Sequence, residues 1–392
     1  MTPPQNRRLS EFCEINPRSN SDTTSDTTVS FLSMSDVSEH GTTTRGADRN
    51  IAEVKSGFTP FNNGDILVAK ITPCFQNGKI AEASVSRNFG FGSTEFHVIR
   101  PNPDECDRRY LLHFLRQPWI RFTGELRMTG SGGQRRVPRQ FIEELAVPLP
   151  SLATQRRIAA ILDQSLVIRS TQTRRLGALN ALVRSLYQKV VNSSDYTEST
   201  LGEIADITSG ITKGRRTSLP TQPLPYLAVA NVQEGRLDLD NVKEIEATKS
   251  ETEKYRLKPG DLVLTEGGDP DKLGRGTVWR NELPICLHQN HIFRVRLHDN
   301  ANNLPDFVSA AISSDSSKRY FLRSAKQTTG IASINMTQLR NLRIPLPAAD
   351  VQQRFVADIE RISLLRESYK KSLIEADALF STLQSRAFRG EL

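Results

Sequence analysis

The sequence predicts an α+β chain in tandem repeat: two mixed α/β domains, each followed by a long helix, with the two helices pairing as a coiled coil. Three observations predict it. Segments of the first half recur in the second, in the same order and at a nearly constant offset. Short apolar runs with β-branched residues, opened by Gly-Asp turns, fill the first part of each half. A long amphipathic run, opened by Pro-x-Pro, closes each half.

The repeat carries most of this weight. "LSEFCEI" at Leu9 parallels "LGEIADI" at Leu201, an offset of 192. "VSFLSMSDV" at Val29 parallels "LPYLAVANV" at Leu224, an offset of 195. "GDILVAK" at Gly64 parallels "GDLVLTE" at Gly260, an offset of 196, and "VPLP" at Val147 parallels "IPLP" at Ile344, an offset of 197. Four ordered matches with so little drift indicate duplication of a unit about half of the 392-residue chain.

Within each unit the elements follow from local chemistry. Residues 19–28, "SNSDTTSDTT", read as a polar loop. "DILVAKI" and "DLVLT" read as strands after a Gly-Asp turn, and "EFHVIR" and "HIFRVRL" as strands with one wet face. Residues 110–120 and 307–322 are candidate helices at matching places. Proline then keeps the chain extended until the long helix can start. The expected segments are 1–150, 151–195, 196–347 and 348–392.

The last helix has Phe355, Ile359, Ile362, Tyr369, Leu373, Ala376, Phe380 and Leu383 at alternating steps of four and three, interrupted by Arg366. That is a heptad seam. The central run supplies Ile158, Leu162, Leu176, Leu179, Val183 and Leu186, with a polar middle at Ser165, Arg169 and Gln172. A helix over 152–190 is about 58 Å long at ~1.5 Å per residue, more than one lobe needs for its own core. Each helix either lies on its own domain or pairs with the other, and the length favours pairing. From Pro148 to Tyr187 is 39 positions and from Pro345 to Phe388 is 43, so the second helix is expected to carry one extra turn.

Composition bounds the function. The chain is 37% hydrophobic and 24% charged, which is ordinary globular usage. No apolar run approaches the ~20 residues of a membrane span, and "MTPPQNRRLSEF" has no apolar leader core. Cys13, Cys74, Cys106 and Cys286 form no CxxC pair and fit reduced thiols in the cytoplasm. No Gly-x-x-x-x-Gly-Lys-[Ser/Thr] loop is present. No Asn/Asp-Pro-Pro-Tyr/Phe segment is present either; "NPRS" at Asn16 is the nearest. Glu53-Val54-Lys55 with Asp36 upstream has nuclease-like spacing that arises often by chance. His288 and His291 form a His-x-x-His pair without an evident third ligand. "TEGGDPDKLGRG" (265–276) follows a strand but opens no helix. Neither a catalytic residue nor a metal or cofactor site is expected in this chain.

The net charge of +8 and the clustering of arginine point to an anionic polymer partner. "GSGGQRRVPRQF" (130–141) places Arg135, Arg136 and Arg139 beside glycines. It either offers phosphate contacts or fixes the last strand before Pro-x-Pro. Loops that diverge between copies are better candidates for reading sequence. They supply Lys70, Thr72, Gln76, Asn77 and Lys79 against Lys272 and Arg275, and Ser93 and Thr94 against His288, Gln289 and Asn290. Gln, Asn, Lys and Arg are the side chains that pair with base edges.

Pro-Leu-Pro followed by Gln-x-Arg at both junctions, the two Gly-Asp strand starts at Gly64 and Gly260, and the closing Phe388-Arg389-Gly390-Glu391-Leu392 resemble the specificity subunit of a type I restriction–modification enzyme. The resemblance covers essentially the whole chain. Thr154 and Val351 stand where the family usually has glutamate.

The resemblance implies two target-recognition domains, 1–150 and 196–347, each reading half of a split, asymmetric sequence in double-stranded DNA. It implies helical spacers at 151–195 and 348–392 that set the unread gap and dock two methyltransferase subunits. Restriction subunits would join in some assemblies. S-adenosylmethionine, ATP and Mg²⁺ belong to those partners. Antiparallel spacers would point the domains in opposite senses, fitting the approximate dyad of duplex DNA. Two other classes compete: a standalone nuclease with duplicated specificity regions, and a coiled-coil scaffold that binds no DNA.

Overall fold

The computed structural model describes residues 5–18, 26–268, 273–298, 304–328 and 331–392. The chain forms two compact units, Met1–Thr171 with Leu373–Leu392, and Gln172–Ser372. Among the described residues no helix is long and apolar enough to cross a membrane.

The lobe of the first unit holds two four-stranded sheets. One is antiparallel, in the order Cys13–Ile15, Phe96–Pro101, Ile66–Ala69, Ile80–Glu82. The other runs Ala47–Asn50, Thr28–Leu32, Phe89–Gly92, Thr59–Asn62, with a parallel pair at its centre. The lobe of the second unit repeats the first sheet as Ala205–Ser209, Ile292–Leu297, Leu262–Thr265, Gly276–Val278. Registers match too: Ile66 opposes Ile99, and Leu262 opposes Val295. A second sheet there has three strands, Lys243–Ala247, Gln222–Leu227 and Leu287–His288.

The Gly-Asp motif explains how the central strand starts. Gly64 and Gly260 have φ near +90° (+95° and +88°), which glycine adopts without strain. The aspartate then folds back on the turn. Asp65 accepts from the Asn62 N–H at 2.7 Å, and Asp261 from the Lys258 N–H at 2.7 Å. Each buried carboxylate is also gripped at both oxygens by an arginine on the neighbouring strand. Arg100 holds Asp65 at 2.9 and 2.8 Å, and Arg296 holds Asp261 at 2.7 Å twice.

Each candidate helix resolves into two. Arg108–Leu115 is capped by Asp107, and Pro118, at a first-turn position, starts Pro118–Leu126. The second lobe repeats this as Pro305–Ile312 and Asp315–Ser324, with Ser314 as the cap.

The Pro-x-Pro segments are edge strands. Ala146–Pro148 pairs with Asn6–Arg8, and Arg343–Pro347 pairs with Tyr196–Thr200. The long helices follow, as Leu152–Ser193 and Ala349–Phe388. In the first unit the start of the central helix lies beside the end of the last. In the second unit the end of the central helix lies beside the start of the last. Arg169 pairs with Asp377 in the first. Arg366 donates to Asn180 at 3.0 Å, and Arg175 sits over the Tyr369 ring at 5.4 Å, in the second. The expected seam is the buried face: Ile158, Leu162, Leu179, Phe355, Ile362 and Ala376 are all buried. Ser165, polar on that seam, is buried as well. Arg366 is half-buried and hydrogen-bonded where the heptad breaks.

Two contacts tie each lobe to its helices. Gln155 is fully buried; it accepts from the Asp107 N–H at 2.8 Å and donates to the Glu105 and Pro150 carbonyls at 2.9 and 2.8 Å. Gln352, offset by 197, accepts from the Leu304 N–H at 3.1 Å and donates to the Pro347 carbonyl at 2.9 Å. The second contact is aromatic. Phe388 stacks near Tyr110 and Phe114, at 5.2 and 5.4 Å between centroids. Tyr187 does the same with Phe307 and Phe355, at 5.5 and 6.3 Å. Tyr110 and Phe307 are repeat equivalents at an offset of 197, so Tyr187 and Phe388 correspond and the extra turn lies in the last helix.

Leucine at position 155 would leave the Asp107 N–H and two carbonyls buried without partners. We expect Gln155→Leu to lower stability by about 2–4 kcal/mol, and Gln155→Glu to lose part of that. Denaturant unfolding of both variants against wild type checks this; unchanged midpoints would show that the amide bonds do not anchor the helix.

Candidate nucleic-acid interface

The loops singled out in the sequence converge in the first lobe. The Lys70 N–H donates to the Glu95 carbonyl at 2.9 Å, and the Val137 N–H to the Lys70 carbonyl at 2.8 Å. Thr72 locks the next rung: its N–H and hydroxyl both donate to the Arg135 carbonyl at 3.0 Å. Arg136 bridges to Ile71 and Thr129 through its backbone. Ser93 and Thr94 lie on the turn before Glu95, whose N–H donates to the Ser93 hydroxyl at 3.2 Å. Lys70, Thr72, Ser93, Thr94, Arg135 and Arg136 therefore share one surface.

Their side chains are not equally available. Asn77, Thr94, Arg135 and Arg139 are exposed. Arg135 reaches only to 3.8 Å from Glu125. Arg139 is paired with Glu143 at 2.6 Å. Arg136 grips Glu95 through Nε and Nη2, at 2.9 and 2.7 Å, and that guanidinium holds the Glu95 carboxyl below the usual carboxylate range. The Lys79 ammonium donates to the Met34 carbonyl at 2.8 Å. Gln76 is half-buried, and its Oε1 finds no partner among the described residues.

In the second lobe the loop after the central strand forms a small sheet, Gly267–Gly268 with Ile331–Ser333 and Lys326–Thr328. Lys272 lies outside the described residues. Arg275 is half-buried and donates to the Gln233 side chain at 3.1 Å. Gln289 and Asn290 are half-buried, their backbone N–H groups tied to the Leu227 and Ile211 carbonyls at 3.0 Å.

His288 corrects the expectation that it touches DNA. Its ring is fully buried, edge-on to Tyr255, and neither ring nitrogen has a hydrogen-bond partner among the described residues. Gly210 makes the room: a Cβ there would lie 2.4 Å from the His288 Nδ1. The exposed member of the pair is His291, whose Nδ1 lies 2.8 Å from the Glu266 carboxylate. The two imidazoles of the His-x-x-His pair thus have opposite environments. Among the described residues no group of three or more His, Cys, Asp or Glu could hold a metal.

The nuclease-like spacing also dissolves. Asp36 caps a turn, accepting from the Ser33 N–H at 2.8 Å and from the Thr44 hydroxyl at 2.7 Å, while Glu53 and Lys55 belong to a one-turn helix and its cap. Sequence reasoning did not single out Glu95 or Glu266, and it weighed His291 only as half of the His-x-x-His pair. The available signal was their place: Lys70 and Glu95 align with Glu266 and His291 at an offset of 196, with the carboxylate moved from one position to the other.

A family model described as the type I restriction modification DNA specificity domain matches residues 2–177 and again 193–375. The chain is 39% identical over 205 residues, half of its length, to the EcoAI specificity subunit of a type I restriction enzyme from Escherichia coli. It is 42% identical over 155 residues, 38% of its length, to the EcoEI specificity subunit from the same species. Those alignments span 32% and 25% of the two relatives. A chain of a solved type I R-M system matches across 100% of this chain and 99% of that one, with a TM-score of 0.61 at 18% identity, which is a likeness of fold.

Burial lowers the His288 pKa to about 3, with Arg294 and Arg296 adding in the same direction. The folded value lies below the unfolded one of ~6.5, so unfolding takes up a proton. His288 leaves stability untouched above pH ~6.5 and removes up to ~1.4 kcal/mol per pH unit below it, until the folded pKa is reached. We expect His288→Phe to flatten the loss of melting temperature between pH 7 and pH 5; parallel pH profiles would exclude it.

Proposed function

The chain belongs to the type I restriction–modification DNA specificity family, and we propose that it is the sequence-recognition subunit of such a system, working in the cytoplasm. Residues 1–150 and 196–347 are the two target-recognition domains, and 151–195 and 348–392 are the spacers. Each domain reads one half of a split motif in double-stranded DNA. The chain brings no catalytic group of its own; methyltransferase subunits bring S-adenosylmethionine, and restriction subunits bring ATP- and Mg²⁺-dependent work.

One observation carries this reading. The frame of the lobe is duplicated down to single hydrogen bonds, while the loops on that frame differ in charge and length. A frame kept in register holds two readers to one geometry, and divergent loops let them read different bases.

Two equivalent docking sites for methyltransferase are supported by the outer faces of the helices. Val167, Ile168 and Leu379 are exposed in the same unit. Leu364, Leu365 and Leu182 are exposed in the other unit. All three positions are related by the offset of 197. Exposed apolar residues recurring in this way fit the same partner twice. We expect Val167→Asp with Ile168→Asp, or Leu364→Asp with Leu365→Asp, each to leave one methyltransferase bound per chain, and the four changes together to leave none. Mass determination of the co-purified complexes checks this; two copies retained in the fourfold variant would place the contact elsewhere.

Mapping of methylated adenines in the host genome tests the recognition role directly. The expected result is a split motif, lost on deletion of this chain. DNA cutting by the purified chain alone would overturn the reading. Insertion of four residues near Thr173 adds about one helical turn, ~6 Å, and should widen the unread gap by roughly one to two base pairs with both half-motifs unchanged. An unchanged gap at full activity would remove the helices as the ruler.

A further inference from the structure

The same three segments meet at one place in each lobe. In the first, residue 70 donates to the carbonyl of 95, and 137 donates to the carbonyl of 70. In the second, the Glu266 N–H donates to the His291 carbonyl at 3.0 Å, and the Ile334 N–H to the Glu266 carbonyl at 2.9 Å. Lys70 therefore corresponds to Glu266, Glu95 to His291 and Arg136 to Ser333.

The side chains at these positions have been exchanged, yet both lobes arrive at one arrangement. In the first, the nitrogen-bearing group is Arg136 and the carboxylate behind it is Glu95. In the second, the nitrogen-bearing group is His291 and the carboxylate is Glu266, one segment away from its counterpart. The Arg136 and His291 side chains stay 42% and 58% exposed, while the glutamates are more covered, at 23% and 33%.

A carboxylate behind a cation decides what it can bind. Phosphate is an anion, and Glu95 cancels the charge that would attract it. A base edge is uncharged, so the pair loses nothing there. The guanidinium plane also gains a fixed orientation, because two of its N–H groups are held and the outer ones remain free to donate. A guanidinium held flat in this way matches the O6 and N7 acceptors of guanine. The ring of His291 is held at Nδ1, which leaves Nε2 for a single hydrogen bond. Arg135, exposed and only loosely opposed by Glu125, has the opposite character and suits phosphate.

We infer that Arg136 backed by Glu95, and His291 backed by Glu266, are the base-reading pairs of the two lobes, with guanine as the base read by Arg136. The inference rests on the DNA-recognition reading above.

The test is selection of bound sequences from a randomised duplex pool by the chain in complex with its methyltransferase subunits, with melting temperatures confirming that each variant folds. Wild type should select a split motif; absence of any preference would sink the recognition reading itself. Arg136→Ala should cut the preference for one guanine in one half-motif by roughly fivefold to a hundredfold and leave the other half intact. His291→Ala should relax one position of the other half, by about fivefold as befits a single hydrogen bond. Glu95→Gln should reduce preference at the Arg136 position while raising affinity for unrelated DNA. Arg135→Ala should keep the motif, weaken all sequences and lower the salt slope by about one unit. The inference falls if Arg136→Ala weakens every sequence equally with the motif unchanged, or if Arg136→Ala and His291→Ala relax the same half.

Discussion

A buried side-chain amide sets the direction of each long helix. Gln155 is enclosed where Pro-x-Pro gives way to helix, and it spends both ends of its amide on backbone groups of the lobe. Such a group cannot turn away without leaving donors and acceptors unsatisfied in the protein interior. Gln352 repeats the bond to the start of the neighbouring lobe helix and the bond to the second proline. The lobe and the helix therefore leave their junction at one fixed angle in each copy. The seam then decides only which face is covered, and the aromatic contact at the far end of each helix only where the helix stops.

What could be read in advance was what is local or periodic. The Gly-Asp strand starts, the Pro-x-Pro stop and the heptad seam each depend on a few neighbouring residues, and each lies where expected. The proline that divides residues 110–120 was visible, but its force as a helix start needs the cap at Gln117, which has no side-chain signature. His288 was misplaced for a different reason. Gln289 and Asn290, which follow it, are polar, while its surroundings are set by Tyr255 and by the gap left at Gly210, 33 and 78 positions away. The pairing of Glu95 with Arg136 depends on sheet topology bringing positions 70, 95 and 136 together, which no window of sequence displays.

The exchange of side chains between equivalent positions shows how a rigid frame tolerates divergence. Hydrogen bonds at residues 70, 95 and 137 run through backbone atoms, so they survive any change of side chain there. Substitution can then alter the chemistry of the surface at little cost to stability, since the groups concerned are at least partly in water. The Asp65–Arg100 and Asp261–Arg296 pairs have no such freedom, because loss of the arginine would leave a buried carboxylate unpaired.

The first unit is assembled from the two ends of the numbering. Its core takes Ile158, Ala159 and Leu162 from one helix and Ala387 from the other, with Phe388 packed against them. The second unit needs only the unbroken stretch Gln172–Ser372. On the ribosome the usual order is therefore inverted. The lobe made first waits with an apolar face uncovered while some two hundred residues are added, and the lobe made second can close before it. Residues 373–392 complete a lobe made some two hundred residues earlier, so their loss would strike the first unit and leave its younger copy whole.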